Sequence, residues 1–589
     1  MHYTRRMKDG SPTITFEDRD GKRRVITPES YVRWLGVYFD RKLLFTHHIK
    51  LAAAKGLNAV CSLTMLANTV RGMHQKQLRH LYLACVIPKI LYAAPIWANG
   101  KANQLKPLIK VQRRALLLIC AAFRTTSTEA LEIEASLPPL HLKIAQIKTQ
   151  YAIRFSRLPS SSPVIQRLGN NWRKGKKAKV PPPLPPKRFN GSAVDNKRTT
   201  PLMELEKLTS PSHERVRPFH SPPWRKTALS YPDRVHIRSH PTSDEDPSGT
   251  HKSLLDEIKY SVKNLIAYSD GSHKYYQGFP RTGAAAVIYH QDQEIKTRQM
   301  GLGGNSEIYD AEMAGLMMAA KTTCKHAKRQ NTINHIFLFA DNTSAVSAIF
   351  DPKPAPGQIY AIKAHHHLTR FLDANPENQV TIAWCPGHQN IRGNERADKL
   401  AKEARNRSCE APNSYSLSRA QRKAKATTGI LWRKEWRSTP KLGGYATANR
   451  IPPSTSPTNA FSRTPREVFG RLIQCRTNHN YTGEYRRRFL PLEEFACPCG
   501  EEIQTREHII VHCNLLHDHK RHDLRKISQY LWLPDILGTK EGIAALIKFL
   551  HDTPAFTRDG HHPKKPPLPT FEHEPEDVED QEPADELLT

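Results

Sequence analysis

Disulfide chemistry is the first thing this chain leaves out. It has ten cysteines in 589 residues, and seven stand singly: Cys61, Cys85, Cys120, Cys324, Cys385, Cys409 and Cys475. That usage does not make a disulfide framework. Long hydrophobic runs are absent too. The longest apolar region, Leu81 to Trp97, is broken by Pro88, Lys89 and Pro95, so no transmembrane segment is expected. The opening residues Met1-His2-Tyr3-Thr4-Arg5-Arg6 lead into no apolar stretch, which argues against a signal peptide. The expectation is a soluble, intracellular protein, nucleus or cytoplasm not resolved, with no membrane partner. Acidic residues are scarce beside basic ones, 56 Asp+Glu against 89 Lys+Arg, for a net charge of +33. An excess of that size points to a polyanionic partner, most simply nucleic acid.

The acidic residues that are present include four in informative settings. Asp270 closes the apolar run Leu265-Ile266-Ala267-Tyr268-Ser269 and precedes Gly271-Ser272. Asp341 closes a second run, Ile336-Phe337-Leu338-Phe339-Ala340. Both runs read as short buried strands that stop at a carboxylate. Glu312 and Asp398 fall in segments of helical periodicity; Glu312 lies about 40° around its helix from Leu316, at the margin of an apolar face. Four carboxylates around one point repel each other unless divalent cations neutralise them, which is the requirement of two-metal phosphoryl chemistry. The competing reading is that a strand-end aspartate such as Asp341, before Asn342-Thr343-Ser344, caps the following helix.

Length suggests several domains. Residues 1–30 read as a short N-terminal remnant and 31–157 as a largely helical unit. Residues 158–250 carry Pro181-Pro182-Pro183-Leu184-Pro185-Pro186, basic runs and few aliphatics, and are expected to be a disordered linker. Between 260 and 407, strands come first and then alternate with helices, which gives an α/β unit: a mixed five-stranded sheet flanked by helices. A linker region over 411–466 follows, then a cysteine/histidine-bearing region over 467–552 and an acidic, disordered tail over 553–589.

The order and surroundings of the four carboxylates resemble the type 1 ribonuclease H family, in particular the domains of non-LTR (LINE-like) retrotransposon polyproteins. The carrying text is Tyr268-Ser269-Asp270-Gly271-Ser272, Asp310-Ala311-Glu312-Met313-Ala314, Phe339-Ala340-Asp341-Asn342, Pro386-Gly387-His388 and Gly393-Asn394-Glu395-Arg396-Ala397-Asp398. The resemblance implies a metal-dependent endonuclease for the RNA strand of RNA–DNA hybrids. Two Mg2+ (or Mn2+) ions would be held by Asp270, Glu312, Asp341 and Asp398, and His388 would assist proton transfer. Products would carry 5′-phosphate and 3′-hydroxyl ends. The partners implied are RNA–DNA hybrid, element RNA and other parts of the retroelement machinery. Cellular members carry Asn or Gln just before the helix glutamate; here Ile308 and Tyr309 stand there, which leaves the groove contacts open.

Residues 31–145 resemble the thumb and downstream region of a LINE-type reverse transcriptase, through Tyr31-Val32-Arg33-Trp34-Leu35-Gly36-Val37-Tyr38-Phe39-Asp40 and Tyr92-Ala93-Ala94-Pro95-Ile96-Trp97. Thr126 and Glu129 form an expected helix capping box. No Asp-Asp dipeptide occurs in the chain, so reverse transcriptase activity is not expected from it alone. Cys497, Cys499, His508 and Cys513, with one, eight and four residues between them, supply three thiolates and an imidazole, a closed tetrahedral set for a structural Zn2+. His512 and His517 are alternative ligands. The runner-up to the enzyme is a nucleic-acid-binding relic without turnover; a transposase or integrase of related fold uses three acidic residues and would not explain the glutamate in Asp310-Ala311-Glu312 or the terminal Asn394-Glu395-Arg396-Ala397-Asp398.

Overall fold

The computed structural model describes residues 12–99, 102–159, 161–167, 214–218, 220, 230–239, 246–409, 416–441, 443–457, 464–515 and 517–562. Most of the expected linker over 158–250, and the expected tail beyond 562, lie outside the described residues.

The α/β unit is built on one mixed sheet. Its strands are β1 (Val235–Arg238), β2 (Asn264–Tyr276), β3 (Phe279–His290), β4 (Gln293–Gly303), β5 (His335–Ala340) and β6 (Gln379–Trp384), in the order β1-β6-β5-β2-β3-β4. β2, β3 and β4 are antiparallel, while β1, β6, β5 and β2 run parallel. The helices are α1 (Pro247–Ile258), α2 (Ile308–Ala327), α3 (Thr343–Ala348), α4 (Gln358–Ala374), α5 (Arg392–Ala404) and α6 (Leu417–Ser438). Side chains alternate across a strand, and β2 shows the consequence. Leu265 and Ala267 face one core with α2 and α4, whereas Ile266 and Tyr268 face a second core with α5. Both faces are therefore covered, which is why these strands read as continuous apolar runs.

Two features depart from the sequence reading. The sheet has six strands, not five. The sixth, β1, comes from the stretch expected to be disordered and pairs with β6 from Val235–Val380 to Arg238–Ala383. The first turn of helix α1, from Pro247 to Thr250, also falls in that stretch. Secondly, β2 does not stop at Asp270. Its parallel partner β5 ends at the Ser269–Ala340 pair, but antiparallel pairing with β3 continues to Tyr276–Phe279. Asp270 thus sits where the parallel ladder ends, within a longer hairpin.

The N-terminal part contains hairpins Ile14–Glu17/Arg23–Ile26 and Tyr31–Trp34/Val37–Asp40, followed by helices that include Thr46–Thr64, Ala102–Cys120, Thr128–Glu134 and Leu140–Ser156. The expected Thr126–Glu129 capping box is not formed: Ser127 is the N-cap, with extended backbone and its Oγ accepting from Ala130 N at 3.1 Å, while Thr126 is buried. The region expected as a linker over 411–466 contains the 22-residue helix α6.

The C-terminal part closes back on the N-terminal helices. Helix Arg466–Thr477 places Phe469 and Ile473 in the same core as Val60, Leu116 and Leu131. Arg466 donates to the carbonyls of Asn68 and Ile119 at 2.9 Å each, and to that of Leu118. Arg476 pairs with Glu134 at 2.7 Å, both side chains under 5 % exposed, and Tyr445 Oη donates to the same carboxylate at 2.6 Å. Low dielectric makes such a pair costly to break. The stretch expected to begin the tail at 553 is packed over its first residues: Thr553, Ala555 and Phe556 are buried, and Arg471 donates to the carbonyls of Thr553 and Ala555. Among the described residues no helix is long and apolar enough to cross a membrane.

Candidate functional site

Asp270, Glu312 and Asp341 meet where β2, α2 and β5 converge, with one carboxylate oxygen from each within 4.8 Å of the others. Close approach of β2 to α2 makes this possible, and Gly271 permits it. A Cβ at that position would lie 2.7 Å from Glu312 N and 2.9 Å from Ala311 Cβ. Glu312 is 4 % exposed, deeper than the margin expected from its helical angle, because β2 packs directly against α2 there, at Gly271. Its Oε2 is buried without a hydrogen-bond partner. Asp341 is spared a capping role: Asn342 caps α3, accepting from Ala345 N at 3.0 Å. The indole of Trp384 donates to the Asp341 carbonyl at 3.0 Å and ties β6 to the end of β5.

The electrostatics are those of crowded, buried anions. Burial, then the charges of Asp341 and Asp398, hold the Asp270 carboxyl well above the usual carboxylate range. Burial and the charges of Asp270 and Asp341 do the same to Glu312, against a stabilising bond from Gly271 N–H. Burial raises Asp341 as well, opposed by the charge of His388. Three carboxylates crowded into so small a volume make an all-oxygen donor set for hard, oxygen-seeking cations. The residues therefore fit Mg2+ or Mn2+.

Asp398 is close enough to raise its neighbours, but its carboxylate accepts from Lys402, one turn along α5. The structure thus places three of the four carboxylates in one cluster and the fourth beside it in an ion pair. Lys402 was missed by the sequence reading; its i, i+4 spacing from Asp398 was the available signal. His388 sits in the left-handed region, φ 54°, in the loop between β6 and α5. There the backbone runs against the site: a Cβ on Gly387 would lie 2.8 Å from Asp341 Oδ2. Glu307 and Asp310 were also missed as a pair. Glu307 caps α2, and its N–H donates to Asp310 Oδ2 at 2.8 Å. Arg419 and Arg422 of α6 hold the Glu307 carboxylate at 3.0 and 2.6 Å.

In the C-terminal part, Cys497, Cys499, His508 and Cys513 gather with their ligand atoms within 4.8 Å of one another. Cys497 Sγ and Cys513 Sγ are 3.8 Å apart, and Cys499 Sγ lies 3.2 Å from His508 Nε2. Two thiolates at about 2.3 Å from a tetrahedral ion stand about 3.8 Å apart, whereas a disulfide needs about 2 Å. The four residues fit Zn2+. His512 and His517 lie outside this group, and the His517 ring packs against Phe549 instead.

Residues 262–406 match the RNase H family model. A polyprotein of the type-1 retrotransposable element R1 4 from Nasonia vitripennis is 30% identical over 129 residues, covering 22% of this chain and 33% of that protein. A 115 kDa protein in the type-1 retrotransposable element R1DM of Drosophila melanogaster is 26% identical over 147 residues, covering 24% of this chain and 14% of its own length. The chain thus spans a third or less of these relatives. Among solved structures, ribonuclease H1 from the halophilic archaeon Halobacterium salinarum NRC-1 is 20% identical, over 24% of this chain and 96% of that one, with a TM-score of 0.19. Residues 262–406 accordingly match the RNase H family, and about a quarter of the chain is similar to proteins of type-1 retrotransposable elements.

Proposed function

We propose that the α/β unit over 260–407 hydrolyses the RNA strand of RNA–DNA hybrids, leaving 5′-phosphate and 3′-hydroxyl ends. The observation that carries this reading is the Asp270–Glu312–Asp341 cluster with the Glu312 Oε2 left buried and unpartnered. An unsatisfied buried carboxylate oxygen costs about 1–3 kcal/mol, so the site is built for a group that is not protein. Asp270, Glu312, Asp341 and Asp398 would hold two Mg2+ (or Mn2+) ions. When bound, such ions activate the attacking water and stabilise the leaving 3′ oxygen.

The chain's own groups do the rest. Gly271 N–H donates toward Asp270 and Glu312 and fixes their orientation. The buried walls behind them, Tyr268 and Cys385 among them, keep bulk water from the rear of the site. His388, on a loop whose backbone runs against Asp341, is placed to carry a proton between the reacting phosphate and solvent. Lys402 releases Asp398 toward the site only when a stronger cation competes for that carboxylate. In the C-terminal region, Cys497, Cys499, His508 and Cys513 hold a structural Zn2+ that fixes the segment following helix Gly483–Phe489. The helical unit over 31–157, thumb-like in sequence, would handle element RNA or its hybrid beside the ribonuclease.

The test is direct. The full chain, supplied with magnesium, should cut a labelled RNA strand only when it is paired to DNA, and Asp341→Asn should abolish the cut. Tight hybrid binding with no cleavage by the unmutated chain would replace the enzyme by a binding relic.

A further inference from the structure

Helix α6 carries seven Lys or Arg residues between Leu417 and Ser438 and a single acidic residue, Glu435. At 100° per residue, Leu417, Ala420, Ala424, Thr428 and Glu435 fall on one face. That face is buried against helix Leu140–Ser156: Leu417, Ala420 and Ala424 share a cluster with Ile153, and Glu435 accepts from His141 at 2.9 Å. Arg419, Lys423, Arg433, Lys434 and Arg437 fall on the other side, within about 100° of arc. Lys423, Lys434 and Arg437 are exposed and Arg433 is half-buried. The one carboxylate of the helix is therefore turned away from its cations.

An ordinary solvated helix face mixes signs at i, i+4 spacing. Here Arg433 and Arg437 put like charges at that spacing, an arrangement that repels and that a bound polyanion relieves. The helix is also fixed in register with the catalytic helix. Ser416 N donates to the Asn305 carbonyl at 2.9 Å, and Arg419 and Arg422 grip Glu307, the cap of α2. Glu312 lies five residues further along α2, about 7.5 Å of rise. From Lys423 to Arg437 the stripe is about 21 Å long, and a duplex presents on the order of a dozen phosphate charges over that length.

We propose that the outward face of α6 is a contact surface for the sugar–phosphate backbone of the hybrid, holding the duplex on the flank of the segment that lies over the carboxylates. This rests on the ribonuclease reading above. The partner is duplex nucleic acid recognised by charge, without sequence preference.

The experiment uses the full chain with Asp341→Asn to block turnover, with and without Arg433→Ala, Lys434→Ala and Arg437→Ala together. Affinity is measured by fluorescence anisotropy across a salt series, on a hybrid that fills only the cleft and on one extended by about two helical turns. Loss of three phosphate contacts should cut the slope of log affinity against log salt by about 2.7 on the long hybrid. It should weaken that complex about tenfold or more at low salt and leave the short one unchanged. An unchanged slope on the long hybrid, or equal loss on both lengths, overturns the proposal. So does a loss confined to single-stranded RNA. The charge-preserving Lys434→Arg/Arg437→Lys chain should bind as the parent does; if it also fails, the substitutions act through folding and the surface is refuted. The ribonuclease reading is tested apart from this, by cleavage of the short hybrid with Asp341 intact.

Discussion

Replacing Glu312 by glutamine should make the metal-free protein more stable while ending its response to magnesium. Glu312 is 4 % exposed and its Oε2 has no hydrogen-bond partner. Burial and the neighbouring Asp270 and Asp341 charges hold its carboxyl well above the usual range. The amide keeps the shape, removes one of the clustered charges and spares the unsatisfied-anion cost of about 1–3 kcal/mol. Such a gain slows local opening by roughly five- to a hundredfold, since 1.4 kcal/mol is a factor of ten. The assay is hydrogen exchange, followed by mass spectrometry, on the amides of Ile308–Ala327 in the full chain without divalent ions. Because the folded-state carboxyls of Asp270 and Glu312 are raised, the folded state binds more protons than the unfolded one. Stability is then present below the unfolded carboxylate range and is lost as pH rises through the folded values. Protection in the parent should therefore fall from pH 5 to pH 9, the variant should show a shallower fall, and magnesium should flatten the parent's dependence. Unchanged or faster exchange in the variant would refute the claim that these carboxylates are mutually destabilising without a cation.

Four further outcomes follow from the geometry. Gly393→Ala drives a Cβ to about 2.1 Å from the buried Tyr268 ring, so α5 must shift; a loss of about 1–3 kcal/mol and reduced hybrid cleavage are expected, read by chemical denaturation and turnover. Arg476→Leu strands Glu134 in the core and should cost about 3–5 kcal/mol, whereas Arg476→Leu with Glu134→Leu should recover much of it; denaturant titration of both chains decides. Cys499→Ser should abolish stoichiometric zinc measured by atomic emission and raise protease sensitivity over 483–515, with hybrid cleavage retained. His388→Ala should lower kcat on hybrid by about 10²–10⁴-fold with little change in KM; an equal change in both would assign the loop to binding instead.

The residues that come together at the site were legible because their neighbours are short and apolar. Two buried apolar runs that close at Asp270 and Asp341 leave little freedom about where those side chains emerge. What was not legible depends on partners far away in the chain. The edge strand Val235–Arg238 is four residues long and mostly half-buried, so it has no alternation to read, and its basic surroundings mimic a linker. The continuation of β2 beyond Asp270 is set by β3, not by its own apolar content. Asp398's engagement with Lys402 is a choice between two cation sources, which spacing alone does not decide. Helix α6 falls in a stretch read as a linker, and its role as a strut between two units rests on Glu307 and His141, more than 100 and nearly 300 residues away in opposite packing partners.

The buried Glu134–Arg476 pair has a bearing on synthesis. Its partners are separated by 342 residues, with the whole α/β unit between them. At a ribosomal rate of about 5–20 residues per second, Glu134 emerges roughly 17–70 s before its guanidinium. During that interval the N-terminal helices lack Phe469 and Ile473 from their core and hold an acid that has nothing to neutralise it. The N-terminal core is therefore completed only by a segment made last, and a chain halted before Arg466 would lack Phe469, Ile473 and the counter-charge of Glu134.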